Sequence, residues 1–335
     1  MKLRLLLLAV AVLALVACGG TEKKPVTTQK TTVVKRHIPR RPDARTIGAN
    51  ELGWVPVLMY HRIINRPTSV YDTTPAQFRR ELRELYRQGY RPIRAKDYVR
   101  GEIDVPAGKT PVVLTFDDST ASQFGLLPDG SVDPHSGVGI LLAFAKKHPG
   151  FTPTGTFYVI SSMFERGDGP RMLAELASLG FELGDHTFDH ANLGALDATG
   201  VQREIVRGER MITDAVPEAK VWTLALPYGV FPQKPGLALR GRWDGQEYSY
   251  RGVFTVDEEP AQSPFSIRFD PLSIPRIESQ PWRGQEDLGS GYWLRYLNRN
   301  RSRRYVSDGD PKTVSFPRIF AEAVAPEYRN RANPY

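Results

Sequence analysis

The sequence predicts an α/β fold built on a mostly parallel sheet. Between residues 52 and 225, short apolar runs of strand length alternate with segments of helical periodicity, which is the pattern of repeated β-α units. The chain has 335 residues, 41% of them hydrophobic, which is enough for a large packed core. This alternation leaves open whether the sheet is flat or closed into a barrel.

The first predicted elements are the best defined. Residues 55–60 form an apolar run that ends at His61, and residues 111–116 form a second that ends at Asp117. Between them, Thr74 and Pro75 provide a helix start, and Gly89 ends that amphipathic helix. The remaining predicted elements are, in chain order, a helix at 138–147, a strand at 155–160, a helix at 171–179, a strand at 181–184, a helix at 202–216 and a strand at 221–225.

The net charge of +8 is confined to the amino-terminal part of the chain. Residues 1–50 contain ten Lys and Arg against two acidic residues, so the rest of the chain is balanced. A basic pI would otherwise suggest nucleic acid as a partner. Because the excess lies in a leader and a linker, we expect no nucleic-acid binding.

Residues 1–17 have the features of a secretory leader. Lys2 and Arg4 precede an apolar run at 5–17 that is shorter than the roughly 20 residues needed to span a bilayer. The run ends at Cys18, the one cysteine of the chain, in a sequence that resembles the lipidation site of bacterial lipoproteins. We expect lipidation of Cys18, a basic flexible tether at 18–50, and a lipid-anchored, extracytoplasmic protein of the cell envelope. An ordinary leader with an incidental cysteine is the alternative.

The candidate catalytic and binding residues lie at the ends of predicted strands. His61, Asp117 with Asp118, His186, and Pro227 with Tyr228 each come just after a predicted strand. In a parallel barrel these ends share one rim, where active sites are built. Taken alone, the paired acids could simply cap a helix.

His186 and His190 have the spacing of a metal-binding pair. Two neutral imidazoles four residues apart suit a borderline-soft divalent cation, although such a pair can also be merely solvated.

Three segments together resemble the polysaccharide deacetylase family of carbohydrate esterases. They are Thr-Phe-Asp-Asp at 115–118, His-Thr-Phe-Asp-His at 186–190 and Leu-Pro-Tyr-Gly at 226–229, in that family's order. No histidine follows His190. The segment Met-Tyr-His at 59–61 instead resembles the first strand of the family's circularly permuted branch, which includes poly-N-acetylglucosamine deacetylases. The resemblance implies a distorted (β/α) barrel with its active site at the carboxyl ends of the strands.

The resemblance also implies roles for individual residues. Asp118, His186 and His190 would bind the metal, Asp117 would be the general base and His61 the general acid. Asp-His-His ligation with an open position favours zinc and also accepts cobalt or nickel. Pro227 and Tyr228 would contact substrate, and the backbone N–H of Tyr228 would stabilise the oxyanion.

Two positions depart from the family pattern. The third motif usually begins with an arginine that orients the base, but here it begins at Trp222. Arg276 could supply that charge from another strand end, or it could form a surface ion pair. Ser119 replaces a common glycine after Asp118.

The predicted domain organisation therefore has a deacetylase domain at 51–278 and a basic, aromatic extension at 279–335. The extension could bind a sugar or anionic polymer, but we favour simple packing on the barrel.

The sequence as a whole predicts a metal-dependent hydrolase that removes acetyl groups from N-acetylated sugars of a cell-surface or wall polysaccharide. An O-acetyl esterase on xylan or another glycan, and a catalytically silent, metal-bearing glycan-binding lipoprotein, are the alternatives. The oligomeric state is not predicted.

Overall fold

A computed structural model describes residues 42–165, 167–280 and 288–335 of the chain. The leader, Cys18 and most of the tether lie outside these residues. The described part from Pro42 onward belongs to one compact unit. In the part that the structure describes, no helix combines the length and the hydropathy needed to cross a membrane.

The strands confirm the predicted alternation and extend it. In chain order they are β1 (Val57–Tyr60), β2 (Tyr90–Ile93), β3 (Thr110–Asp117), β4 (Thr156–Val159), β5 (Glu182–Asp185), β6 (Thr223–Ala225), β7 (Arg240–Trp243), β8 (Gln246–Ser249), β9 (Gly252–Phe254), β10 (Ile277–Glu278), β11 (Val314–Phe316) and β12 (Ala332–Pro334). The helices are α1 (Ala44–Ile47), α2 (Pro75–Arg87), α3 (Ala95–Val99), α4 (Gly137–Lys147), α5 (Gly169–Ser178), α6 (Ala198–Ala215) and α7 (Ser290–Arg299).

Eight of these strands form one curled parallel sheet in the order β10-β1-β3-β4-β5-β6-β9, with β2 also paired to β3. Single parallel bridges, Phe254 to Ile274 and Asp257 to Ile277, bring the two edges of the sheet together. This confirms the predicted α/β class and the distorted, mostly parallel (β/α) barrel. Because β1 and β10 are neighbours, segments far apart in the chain meet at one seam.

Local sequence explains where the best-defined helices begin. Thr74 caps α2 by accepting the N–H of Gln77, whose side chain reaches back to the Thr74 N–H, and Pro75 is the first helical residue. Asp197 caps α6 in a similar way through the N–H of Gly200, so this helix begins before the predicted residue 202.

Strand alternation divides the core into an outer and an inner part. On β3, Leu114 and Phe116 pack in the outer cluster with the helices, whereas Val113 lies in the inner cluster. By the same alternation, Thr115 and Asp117 project to the inside of the barrel.

Residues 304–335 are packed into the same unit. Tyr305, Val314 and Phe316 are buried in the inner cluster, and Arg304 donates hydrogen bonds to Thr110 and to the backbone of Gln88. Two strands, β11 and β12, pair within this stretch.

Candidate active site

The carboxyl ends of β1, β3 and β5 bring five predicted site residues together. His61 follows β1, Asp117 is the last residue of β3, and His186 follows β5. The Nε2 atoms of His61 and His186 lie 4.0 and 3.8 Å from Asp117 Oδ2. The strands are parallel, so their carboxyl ends converge on one rim, as the sequence predicted.

Asp118, His186 and His190 form a cluster with the donor set of a metal site. One ligand atom from each of the three lies within 4.8 Å of the others. Asp118 Oδ1 is 3.6 Å from His186 Nε2 and 3.4 Å from His190 Nε2, and it is buried with no hydrogen-bond partner among the described residues. An orphaned buried carboxylate oxygen facing two imidazoles fits a divalent cation.

The protonation of the histidines also suits ligation. His186 Nδ1 lies 2.8 Å from the carbonyl oxygen of Ala225, which accepts its proton and leaves the Nε2 lone pair facing Asp118. Burial lowers the pKa of His186 to about 3, so the ring is neutral at physiological pH. Burial also lowers the pKa of His190.

Asp117 is held as a buried, ionised carboxylate. Burial alone would raise its pKa, but the charge of Arg276 lowers the pKa of Asp117 to about 2. Arg276 is fully buried and its Nη1 donates to Asp117 Oδ1 at 2.7 Å and to Thr115 Oγ1 at 3.3 Å. The structure thus places Arg276 against Asp117 and not in a surface ion pair.

The backbone of the rim adopts unusual conformations at several site residues. The φ angles of Asp118, Thr187, His190 and Tyr228 are 71°, 62°, 51° and 59°, in the left-handed region that non-glycine residues seldom occupy. Ser119, at the position where glycine is common, also has a positive φ of 45°. Such conformations persist only where the surroundings enforce them, and they concentrate at functional sites.

Buried side chains enforce the turn that carries both histidines. Asp185 accepts the N–H of Thr187, and the hydroxyl of Tyr250 donates to Asp185 at 2.7 Å. Glu204 on α6 accepts the N–H of Asp189. The turn is therefore held from both the barrel and the helix layer.

Two further residues of the site escaped the sequence analysis. The buried side chain of Gln123 donates to the carbonyl oxygens of His61 and Asp117 at 2.8 and 2.6 Å, which ties the ends of β1 and β3 together. Tyr71 is 45% exposed, and its ring centroid lies 5.2 Å from that of His61. A glutamine and a tyrosine in loops give no signal in one sequence.

Pro227 and Tyr228 follow β6 on the same rim. The Tyr228 side chain is 64% exposed, and its ring packs edge-on against His190 with centroids 4.6 Å apart. Pro227 is buried beneath it. Tyr228 therefore stands beside the metal-type cluster with its aromatic surface open to solvent.

Comparisons with known proteins agree with this geometry. A family model described as polysaccharide deacetylase matches residues 104–240, which include Asp117, Asp118 and both histidines of the cluster. His61 and Arg276 lie outside the matched residues.

Relatives and solved structures show the same likeness. The chain is 31% identical over 135 residues to a chitooligosaccharide deacetylase of Sinorhizobium fredii (strain NBRC 101917 / NGR234), an alignment that covers 40% of this chain and 54% of that protein. The match thus spans about half the length of this curated relative.

Two solved structures share the fold. A Streptococcus pyogenes deacetylase, PplD, in complex with acetate has a TM-score of 0.52 at 21% identity, covering 70% of this chain and 96% of that one. A candidate polysaccharide deacetylase of Bacillus anthracis has a TM-score of 0.50 at 19% identity, covering 67% and 64%. Residues 104–240 are thus similar to the polysaccharide deacetylase family, and the chain shares the fold of these two structures.

Proposed function

We propose that this protein removes acetyl groups from N-acetylhexosamine units of a polysaccharide by metal-dependent hydrolysis. The observation that carries the proposal is the position of the Asp118, His186 and His190 cluster beside the Asp117–Arg276 pair and His61. The activity of the S. fredii relative supports the same substrate class.

Asp118, His186 and His190 would hold the cation, with zinc favoured. When bound, such a cation lowers the pKa of a water molecule and polarises a carbonyl group. The chain prepares this position by keeping His186 neutral and Asp118 Oδ1 unpaired among the described residues.

Asp117 is the proposed general base. Its Oδ1 is held by Arg276, so Oδ2 is the oxygen that faces His61 and His186. The fixed geometry lets Oδ2 take the proton of the attacking water without a change of side-chain rotamer.

His61 is the proposed general acid. Its Nε2 faces the same space as Asp117 Oδ2, 4.0 Å away, and its Nδ1 is buried without a hydrogen-bond partner in the described part of the chain. A protonated His61 would donate to the departing sugar nitrogen, because an amine leaves poorly without a proton. The Tyr228 N–H is the proposed donor to the oxyanion.

Acetate release from N-acetylglucosamine oligomers, with and without a chelator, tests the proposal. We expect release that the chelator abolishes and zinc restores. O-acetylated xylan serves as the comparison substrate. Faster release from xylan would favour the esterase, and no release from either substrate with metal bound would favour the glycan-binding alternative.

We also propose that Cys18 is lipidated and anchors the protein in the cell envelope, a proposal supported by residues 1–18 of the sequence. Cys18→Ala should move the protein from the membrane fraction to the soluble fraction. Continued membrane fractionation of this variant would contradict lipidation.

A further inference from the structure

A second cleft lies at the opposite end of the barrel from the rim. Trp54 precedes β1, and Asn50 lies four residues earlier, so both lie at the amino-terminal ends of the strands. The cleft has a volume of about 360 Å³, and its lining includes Asn50, Trp54, Gln262, Arg268, Arg303 and Phe320. We call it the arginine cleft.

Asn50, one of the lining residues, carries an unpaired acceptor. Its side chain is only 4% exposed, and its Nδ2 donates to the carbonyl oxygen of Ser302 at 2.8 Å, which fixes the orientation of the amide. Its Oδ1 is buried with no hydrogen-bond partner among the described residues. A buried acceptor left unpaired is destabilising, and a hydrogen bond from a ligand hydroxyl or N–H would remove that cost.

The charge of the cleft is positive and uncompensated. Arg268 and Arg303 are exposed, and no acidic side chain belongs to the lining. Neither guanidinium forms an ion pair within the part of the chain that the structure describes. Two arginines that have no acidic partner among the described residues suit a carboxylate, which each can bind through two parallel hydrogen bonds.

The aromatic wall of the cleft is rigid. The Arg303 guanidinium lies over the Trp54 ring, 5.1 Å from its centroid. The backbone N–H of Trp54 donates to the backbone carbonyl oxygen of Arg303 at 2.6 Å. Gly53 permits this close approach, because a Cβ there would lie 2.3 Å from the backbone of Arg304. Trp54 and Arg303 are thus fixed side by side before any ligand arrives.

We propose that the arginine cleft binds a carboxylate-bearing sugar unit of a surface glycan. The volume suits one or two sugar rings, the two arginines suit a carboxylate, and Asn50 and Gln262 suit hydroxyl groups. The cleft would hold the protein on an acidic polymer while the rim acts elsewhere. The proposal concerns binding and stands whether or not the rim catalyses deacetylation.

Titration calorimetry of the full-length protein with trigalacturonate tests the proposal. This probe has no acetyl group, so the rim should not turn it over. We expect saturable binding at one site, with maltotriose, an uncharged α-1,4-linked trisaccharide, bound at least about tenfold more weakly. Arg268→Gln combined with Arg303→Gln should weaken trigalacturonate binding at least about tenfold.

The matched control is Arg203→Gln, since Arg203 is an exposed arginine on α6 outside the cleft. It should leave binding unchanged, and the double arginine variant should leave acetate release from a small substrate unchanged. A second variant, Asn50→Asp, places a negative charge at the unpaired acceptor and should also abolish binding.

Three outcomes would overturn the proposal. One is equal binding of trigalacturonate by the wild type and the double arginine variant. Another is equal binding of maltotriose and trigalacturonate. The third is a wild-type protein that does not bind trigalacturonate but binds phosphatidylglycerol vesicles, with vesicle binding lost in the double arginine variant. That result would assign the cleft to a lipid surface.

Discussion

The two ends of the barrel differ in whether their arginines form ion pairs. At the rim, the fully buried Arg276 lies 2.7 Å from Asp117, so both charges are neutralised within the protein. In the arginine cleft, Arg268 and Arg303 are exposed and form no ion pair within the described residues. The proposed general base is thus held in place by an ion pair within the protein, whereas the arginines proposed to bind a ligand have no ion-pair partner in the described part of the chain.

The backbone differs between the two ends as well. Four rim residues, Asp118, Thr187, His190 and Tyr228, have positive φ angles, each of which costs roughly 1–2 kcal/mol. None of the non-glycine residues that line the arginine cleft has a positive φ. The rim thus contains backbone strain that the residues lining the arginine cleft lack.

Removing a ligand of the proposed metal site should have the largest effect. Asp118→Ala or His186→Ala should lose metal together with activity, with turnover reduced by more than about 10³-fold, because the activated water is lost. Bound zinc by elemental analysis and acetate release measure the two effects. His135→Ala, at an exposed loop histidine, is the control and should change neither. Full metal occupancy in either ligand variant would refute the ligand assignment.

His61→Ala should separate metal binding from proton transfer. The variant should keep its metal, because His61 is outside the three-residue cluster, and should lose about 10²–10⁴-fold in turnover. Zinc content and acetate release are measured on the same preparation. Turnover near that of the wild type would rule out the acid role.

Two arginine variants compare how much a buried, paired arginine and an exposed, unpaired arginine contribute to the free energy of unfolding. Arg276→Gln leaves Asp117 buried without its partner and should lower the free energy of unfolding by about 3–5 kcal/mol. Arg268→Gln removes an exposed charge and should change it by no more than about 0.5 kcal/mol. Urea unfolding measures both. Similar losses for the two variants would show that the burial of Arg276 has no energetic consequence.

Glu51, next to Asn50, provides a test of stability that depends on pH. Burial, and then the charge of Asp308, raise the pKa of Glu51 from 4.5 to about 8. Between these values the folded protein keeps a proton that the unfolded chain releases, so stability should fall as pH rises from 4.5 to 8, by up to about 1.4 kcal/mol per pH unit.

Glu51→Gln cannot titrate, so it should remove this slope. Urea unfolding at several pH values compares the two proteins. Identical pH profiles for the wild type and Glu51→Gln would contradict the assignment.

The rim could be predicted from the sequence because each short segment carries its own part of it. Asp117 and Asp118 end one strand, and His186 and His190 share one turn, so local patterns reveal them. Arg276 could be predicted only as one of two alternatives. Its contact with Asp117 depends on β10 lying beside β1 and on the side of β10 that faces the barrel interior.

The arginine cleft could not be predicted from the sequence. Asn50, Trp54, Arg268 and Arg303 come from three distant segments, and no local pattern connects them. Gln123 escaped for a similar reason, because its two hydrogen bonds join strands that are not adjacent in sequence. Contacts between residues far apart in the sequence produce no local spacing pattern from which they could be predicted.

The seam of the barrel sets the order in which the protein can form. Strand β1, which precedes His61, pairs with β10, and the hydroxyl of Tyr335 donates to the carbonyl of Ala49, 286 residues earlier. The ribosome therefore synthesises β1 long before β10, one of its two partner strands, exists. The rim cannot be completed until β10 and Arg276 have emerged, so we expect folding to be slow and to follow synthesis.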